Sequence, residues 1–286
     1  MFNAWLKAFC CSIGILLIFG SCDMSKGKKK FPDTPDYTLS DPKILRLPTD
    51  LDEISGIAYY SKDTSVFAII DEDGILFKIP LKDPRKVRKW TFDKKRDYED
   101  LVLIDSTFYV LISKGDVLRL KFNGDSIQTE KSDFSDADKT TMEFESLFAL
   151  NDSTLVMICK ECEQDDKEIV SSYTFHISDS AGTYKDFIRF STIELNAKQN
   201  LKGKLKMSAA TLHPLTGDIY MISSIQNVLY VTDKDGNYKA SYELNPIIYK
   251  QPEGIAFTPE GHMIISNEFA DEGFGELLLF KNNRKR

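Results

Sequence analysis

Histidine is scarce in this chain of 286 residues: His176, His213 and His262 are all it has. That narrows metal and acid–base chemistry together, because zinc wants four ligands and imidazole is the side chain that titrates near neutral pH. Cysteine is sparse too, 5 in all, and Cys159-x-x-Cys162 has no second pair to complete a zinc site. A disulfide across a turn and two free thiols both fit that pair. His213 before Pro214 and His262 after Gly261 read as satisfied surface residues in turns. A basic face is also missing. The formal net charge is −7, which argues against nucleic acid as a partner, since phosphate contacts need clustered Lys and Arg. The apolar run from Ala8 to Phe19 falls short of the ~20 residues that span a bilayer.

What the chain does have is a repeat. A small or acidic residue, a small residue and an apolar run recur as Ser55-Gly56-Ile57-Ala58-Tyr59, Glu99-Asp100-Leu101-Val102-Leu103, Glu145-Ser146-Leu147-Phe148-Ala149, Ser208-Ala209-Ala210-Thr211-Leu212 and Glu253-Gly254-Ile255-Ala256-Phe257. Their spacings are 44, 46, 63 and 45 residues, a period typical of four-stranded propeller blades of ~40–45 residues. A second apolar run follows each phrase, as in Val66–Ile70 and Phe108–Ile112, and reads as a strand buried on both faces. A third run alternates more clearly, as in Val117-Leu118-Arg119-Leu120-Lys121-Phe122. Asp73-Gly74, Asn123-Gly124, Asp235-Gly236 and Glu260-Gly261 supply glycine where tight hairpins need positive φ.

The expected fold is all-β: a β-propeller of five four-stranded blades over residues 42–283. The fifth repeat runs out of chain after Glu276–Phe280, and Lys43-Ile44-Leu45-Arg46-Leu47 is the spare strand that closes the ring in that last blade. The extra residues of the third repeat, between Glu161 and Leu205, read as long loops around two strands, with a hidden sixth blade as the competing account.

Ahead of the repeats stands an address label. Lys7, the apolar run and Gly20-Ser21-Cys22 have the anatomy of a secretory signal over residues 1–21. The small residues before Cys22 resemble a bacterial lipobox, with Phe19 where Leu is usual, so Cys22 is the expected lipidation site and the membrane the expected partner through its acyl chains. Residues 22–41 are polar, carry Lys26 and Lys28–Lys30, and are punctuated by Pro32 and Pro35, so they read as a solvated, disordered tether. The expected location is the bacterial cell envelope, anchored and facing the periplasm or the cell surface.

In a propeller the first strand of each blade lines the axis. The phrase therefore gathers Glu99, Glu145 and Glu253 around one channel mouth, with Ser55 and Ser208 completing the ring. Aligning the ends of the second strands adds Glu72, Lys114, Glu161 and Glu268. Two like charges ~4 Å apart cost ~4 kcal/mol at an effective dielectric of 20, so such a ring needs a cation, a shared proton or N–H donors. Either the acids staple neighbouring blades through backbone amides, or they bind. The candidate binding set is Glu72, Glu99, Glu145, Glu161, Glu253 and Glu268, with Glu99, Glu145 and Glu253 as metal ligands and calcium, which takes about 6–8 oxygens, as the expected cation. No catalytic residue is assigned.

Ser55–Tyr59, Asp97-Tyr98-Glu99-Asp100-Leu101, Gln251–Phe257 and Ser266-Asn267-Glu268 resemble the SdiA-regulated domain family of bacterial envelope proteins over roughly Lys43 to Lys281. The resemblance implies a β-propeller and no settled biochemical activity. The function expected is a lipid-anchored module that binds a small ligand, a cation or an envelope protein. The alternative is a metal-dependent lactonase or esterase similar to gluconolactonase-like propellers, with Glu253, Asn267, Glu268 and Asp71 around one metal. Docking in a larger envelope complex is a third class.

Overall fold

The computed structural model describes residues 30–134, 142–178, 183–201, 203–268 and 273–284. The expected signal segment over residues 1–21, Cys22 and most of the lysine-rich stretch lie outside the described residues. Among those described, five antiparallel four-stranded sheets form five blades. Blade 1 runs Ile54–Tyr60, Ser65–Ile70, Ile75–Pro80 and Arg88–Thr91. Blade 2 runs Tyr98–Ile104, Thr107–Ile112, Val117–Asn123 and Ser126–Ser132. Blade 3 runs Glu143–Asn151, Thr154–Glu161, Ile169–His176 and Thr183–Ser191. Blade 4 runs Ala209–Leu212, Ile219–Ser223, Val228–Thr232 and Tyr238–Glu243. Blade 5 takes Pro252–Phe257, Met263–Asn267 and Glu276–Phe280 from the end of the chain. Its outer strand is Lys43–Arg46, in register from Lys43 opposite Leu279 to Arg46 opposite Glu276, and Leu47 N extends the seam to the Gly275 carbonyl at 2.9 Å. Five blades with an N-terminal closing strand is the architecture expected from the repeat, and no sixth blade forms among the described residues.

Burial follows the radial order. Second strands are buried throughout in blades 1, 4 and 5, while the outer strands of blades 1 and 2 are largely exposed. Apolar residues gather into five clusters, one at each blade–blade interface, so every blade is held on both faces. At the axis the blades also exchange hydrogen bonds. Ser55 Oγ donates to the Glu99 carbonyl, Ser208 Oγ to the Pro252 carbonyl at 2.6 Å, and Ser266 Oγ to the Ser55 carbonyl at 2.8 Å. Between blades 2 and 3 the buried Asp100 carboxylate accepts from Leu147 N at 2.7 Å and from Leu101 N at 2.7 Å. The fifth seam, between blades 3 and 4, has no such bond at the matching position: Ser146 Oγ is buried without a partner. Gly56 is required by the same close approach, because a Cβ there would sit 2.5 Å from Asp100 Cα.

Four local expectations are corrected. The third repeat's insertion is not loop alone; after its fourth strand the chain forms the helix Ile193–Gln199, anchored by buried Leu195. Gly74 does not take positive φ, as Gly124, Gly236 and Gly261 do; the Asp93 carbonyl passes too close for a side chain. The stretch read as a solvated tether through Asp41 is packed at its end: Tyr37 and Leu39 are buried, Tyr37 Oη donates to the Gly261 carbonyl at 2.6 Å, and Tyr249 Oη donates to the Leu39 carbonyl at 3.0 Å. His213 is 1% exposed rather than on the surface, with Nε2 2.8 Å from Tyr37 Oη; burial holds its pKa below the usual imidazole value.

The axial serines give a paired test. Ser208→Ala removes a buried donor whose acceptor stays behind and is expected to cost about 1 kcal/mol or more, whereas Ser146→Ala removes a hydroxyl without a partner and is expected to be neutral or stabilising. Urea unfolding midpoints of the two variants check this contrast.

Candidate functional site

Each first strand enters the ring with alternate residues facing the axis, so positions two apart share that face. At the entrance these positions place Glu53 with Ser55, Asp97 with Glu99, Glu143 with Glu145 and Gln251 with Glu253 around one cavity of about 260 Å³. Second strands contribute Asp71, Ser113, Lys160 and Glu268. Eight carboxylates and one lysine thus share a single cup. Further along the same strands, Ile57, Leu101, Leu147, Ala210 and Ile255, each 5% exposed or less, line a second cavity of about 320 Å³ that shares no lining residue with the first. The first cavity is an acidic cup.

Glu99, Glu145, Glu253 and Glu268 therefore meet as the sequence placed them. Glu72 and Glu161 do not join them: both are exposed, ion-paired with Lys95 at 3.6 Å and Lys206 at 2.8 Å. The cause is register. Ile70, Ile112, Cys159 and Asn267 pair with Ile54, Tyr98, Phe144 and Pro252, so the equivalent residues one step on are Asp71, Ser113, Lys160 and Glu268. Aligning Glu72, Lys114 and Glu161 with Glu268 slips three blades by one residue, which turns each side chain to the other face. Glu53, Asp97, Glu143, Ser113, Gln251 and Lys160 escaped the sequence reading. The first three and Gln251 were discoverable, since each stands two residues before a ring position.

The acids are heavily perturbed. Burial pushes Glu99 up to about 8, reinforced by Asp97 and Glu253 and offset by Lys160 and a hydrogen bond from Ser113. Burial likewise lifts Glu253 to about 7 against a hydrogen bond from Ser224 and the charge of Lys160. Glu268 reaches about 7, through burial and then Glu253 and Asp71, although Gln251 Nε2 donates to it at 2.5 Å. Asp71 is raised by burial and Glu53, and its Oδ1 has no hydrogen-bond partner among the described residues. Glu145 is ion-paired with Lys160. The acids do not staple neighbouring blades through backbone amides; the serines and Asp100 do that.

No three of these carboxylates bring ligand oxygens within 4.8 Å of one another; among the described residues that closeness belongs to Cys159, Cys162 and Asp165. Cys159 and Cys162 form a disulfide. A hard cation needs about 6–8 oxygens at ~2.3–2.6 Å, so Glu99, Glu145 and Glu253 would have to close in on it or share it with water. Asn267, assigned to the lactonase-type set, has its amide committed to backbone: Nδ2 donates to the Ile248 carbonyl at 2.8 Å and Oδ1 accepts from Gln251 N at 3.3 Å.

No protein-family model matches the chain, and no curated protein matches it. Solved structures do. Glutaminyl cyclase from Myxococcus xanthus superimposes with a TM-score of 0.55 at 13% identity, covering 84% of this chain and 94% of that one. A luciferin-regenerating enzyme gives 0.50 at 8% identity, covering 85% and 96%. Regucalcin, a calcium-binding protein from Agrobacterium tumefaciens, gives 0.49 at 14% identity, covering 87% and 95%. At these identities the likeness shows the propeller fold and nothing about a ligand.

The raised acids fix the sign of a pH dependence. A carboxyl whose folded pKa of 7 to 8 exceeds its unfolded value near 4.5 binds more protons in the folded state, so its stabilising effect is complete below about 4.5 and is lost as pH rises through 7 to 8. His213 acts oppositely, below its ordinary value of 6.5. Urea midpoints of wild type and Glu99→Gln, compared from pH 5 to 9, isolate the cup: the wild type is expected to lose stability relative to the variant as pH rises.

Proposed function

We propose that this protein is a lipid-anchored β-propeller of the bacterial cell envelope whose acidic cup binds a cationic ligand, with calcium as the inorganic candidate. The observation that carries the reading is the cup itself: eight carboxylates, three of them titrating near or above neutral pH, converge on one cavity lined by a single lysine. Such a cavity lowers its electrostatic cost by taking up protons or cations. Anchoring rests on Gly20-Ser21-Cys22 and the preceding apolar run, and the envelope assignment on these together with the resemblance to the SdiA-regulated domain family. No helix among the described residues is long and apolar enough to cross a membrane. Membrane attachment would therefore fall to acyl chains on Cys22, each buried CH₂ contributing ~0.8 kcal/mol.

Binding rather than catalysis is favoured because the cup offers acids and no imidazole, and because the amide of Asn267 is held by backbone.

Cation binding at neutral pH has to displace protons from Glu99, Glu253 and Glu268, so affinity rises with pH through 7 to 8. Calorimetric titration of the full-length protein in detergent with calcium chloride, in buffers of different ionisation heat, is expected to show proton release. Glu253→Gln and Glu99→Gln should each weaken binding. No heat and no thermal shift at any pH between 6 and 9 would remove calcium as the ligand.

A further inference from the structure

Two lysines reach the acids of the cup: Lys114 pairs with Glu143 at 3.1 Å, and Lys160, which lines the cavity itself, is fixed from two sides. Lys160 is ion-paired with Glu145, whose side chain is only 11% exposed, and its charge also acts on Glu99 and Glu253. The backbone beneath it is the Cys159–Cys162 turn, closed by a disulfide packed among the apolar residues between blades 2 and 3. Both sulfur-bearing residues are buried, at 0% and 1% exposure. Beyond the turn, the Cys162 carbonyl accepts from Asp165 N at 3.0 Å, and Asp165 Oδ1 accepts from Ser171 N at 3.0 Å. Strand alternation then sends Lys160 to the cup and Glu161 out to Lys206. The side chain starts from a cross-linked, hydrogen-bonded support and ends on a carboxylate.

An ammonium group seated among carboxylates is a bound cation in every respect except its covalent attachment. We infer that Lys160 is a tethered competitor for the cup: it neutralises part of the ring when no ligand is present, and an incoming cation has to displace it from Glu145. This rests on the cup being a cation site. Because the lysine is attached to the same chain, it competes at a fixed, high effective concentration that dilution cannot reduce. A monovalent ion offers the ring no more charge than Lys160 already supplies. A divalent ion, or a molecule carrying several ammonium groups, engages acids from several blades at once and so can displace it. Lys160 thereby sets the affinity of the cup and biases it toward multivalent cations, and the disulfide holds it in place.

Calcium chloride titrated into full-length wild type, Lys160→Gln and Cys159→Ala/Cys162→Ala tests this. Lys160→Gln is expected to bind about tenfold more tightly, from loss of one positive charge at the ring, with a smaller gain in the cysteine variant. Binding by Lys160→Gln where wild type shows none supports the inference as well. Equal or weaker binding by Lys160→Gln, with wild type binding, overturns it. If neither binds, calcium falls as the ligand, and a ligand-free measurement decides on Lys160. In a carbon-13 NMR pH titration, Glu99 and Glu253 are expected to titrate higher in Lys160→Gln, and unchanged values overturn the inference. Should Lys160→Gln not fold, Lys160→Met removes the same charge while leaving Glu145 in the cup, and is read by both methods in the same way.

Discussion

Closure of the ring is the constraint from which the site follows. The pairing of Lys43–Arg46 with Glu276–Phe280 joins residues 230 to 236 positions apart and brings the first and last repeats together. Without it the first strands of blades 1 and 5 have no reason to converge, and Glu53 and Asp71 would not face Glu253 and Glu268. The packed end of the N-terminal segment strengthens the same seam from outside. Tyr37 and Leu39 join the cluster between blades 4 and 5, and the backbone of Asn283 donates to the Asp36 carbonyl at 2.9 Å. Both ends of the domain are thus tied into one blade, and Lys43–Arg46 covers the edge that Glu276–Phe280 would otherwise expose.

The ring is not uniform, and its irregularity is local to blade 3. Four seams carry an axial hydrogen bond, from Ser55, Asp100, Ser208 or Ser266, and the seam between blades 3 and 4 does not. That seam is held further out instead. Tyr230 Oη donates to the Ser191 carbonyl at 2.8 Å, Gln199 Nε2 donates to Ser241 Oγ at 2.9 Å, and Lys206 pairs with Glu161. The 63-residue spacing that interrupts the repeat supplies these contacts, because the helix Ile193–Gln199 lies in the added length. The disulfide falls in the same blade, at the inner end of its second strand. The extra chain therefore accompanies the seam that lacks an axial hydrogen bond, while the disulfide packs on the other face of the same blade.

The blade plan was legible because it depends on features that repeat: one phrase, one period and glycines at turns. The cup was legible only in part, because it depends on register, which a period of 45 residues does not define to a single position. Glu99, Glu145 and Glu253 occupy the phrase itself and were placed together correctly. Glu72 and Glu161 were misplaced because a charged residue follows the inward one in blades 1 to 3, and one step along a strand reverses the face. Glu53, Asp97 and Glu143 sit before the phrase, where the chain reads as a connecting loop, and only extending the strand alternation two residues back from each ring position carries them inward. Tyr37 is a different kind of miss: prolines and charges around it describe a tether, and its burial depends on a histidine and a carbonyl distant in sequence.

The cup has three means of compensating its charge, and they draw on the same carboxylates. Protons occupy Glu99, Glu253 and Glu268 near neutrality, Lys160 occupies Glu145, and a cation would need oxygens now committed to one or the other. Coulombic coupling at separations of a few ångströms makes the three mutually exclusive in part: every proton retained weakens the attraction for Lys160, and every cation admitted lowers the affinity for protons. Glu253 stands at the centre of this coupling, since it raises both Glu99 and Glu268 and is itself lowered by Lys160. Altering it should therefore shift several neighbouring titrations at once.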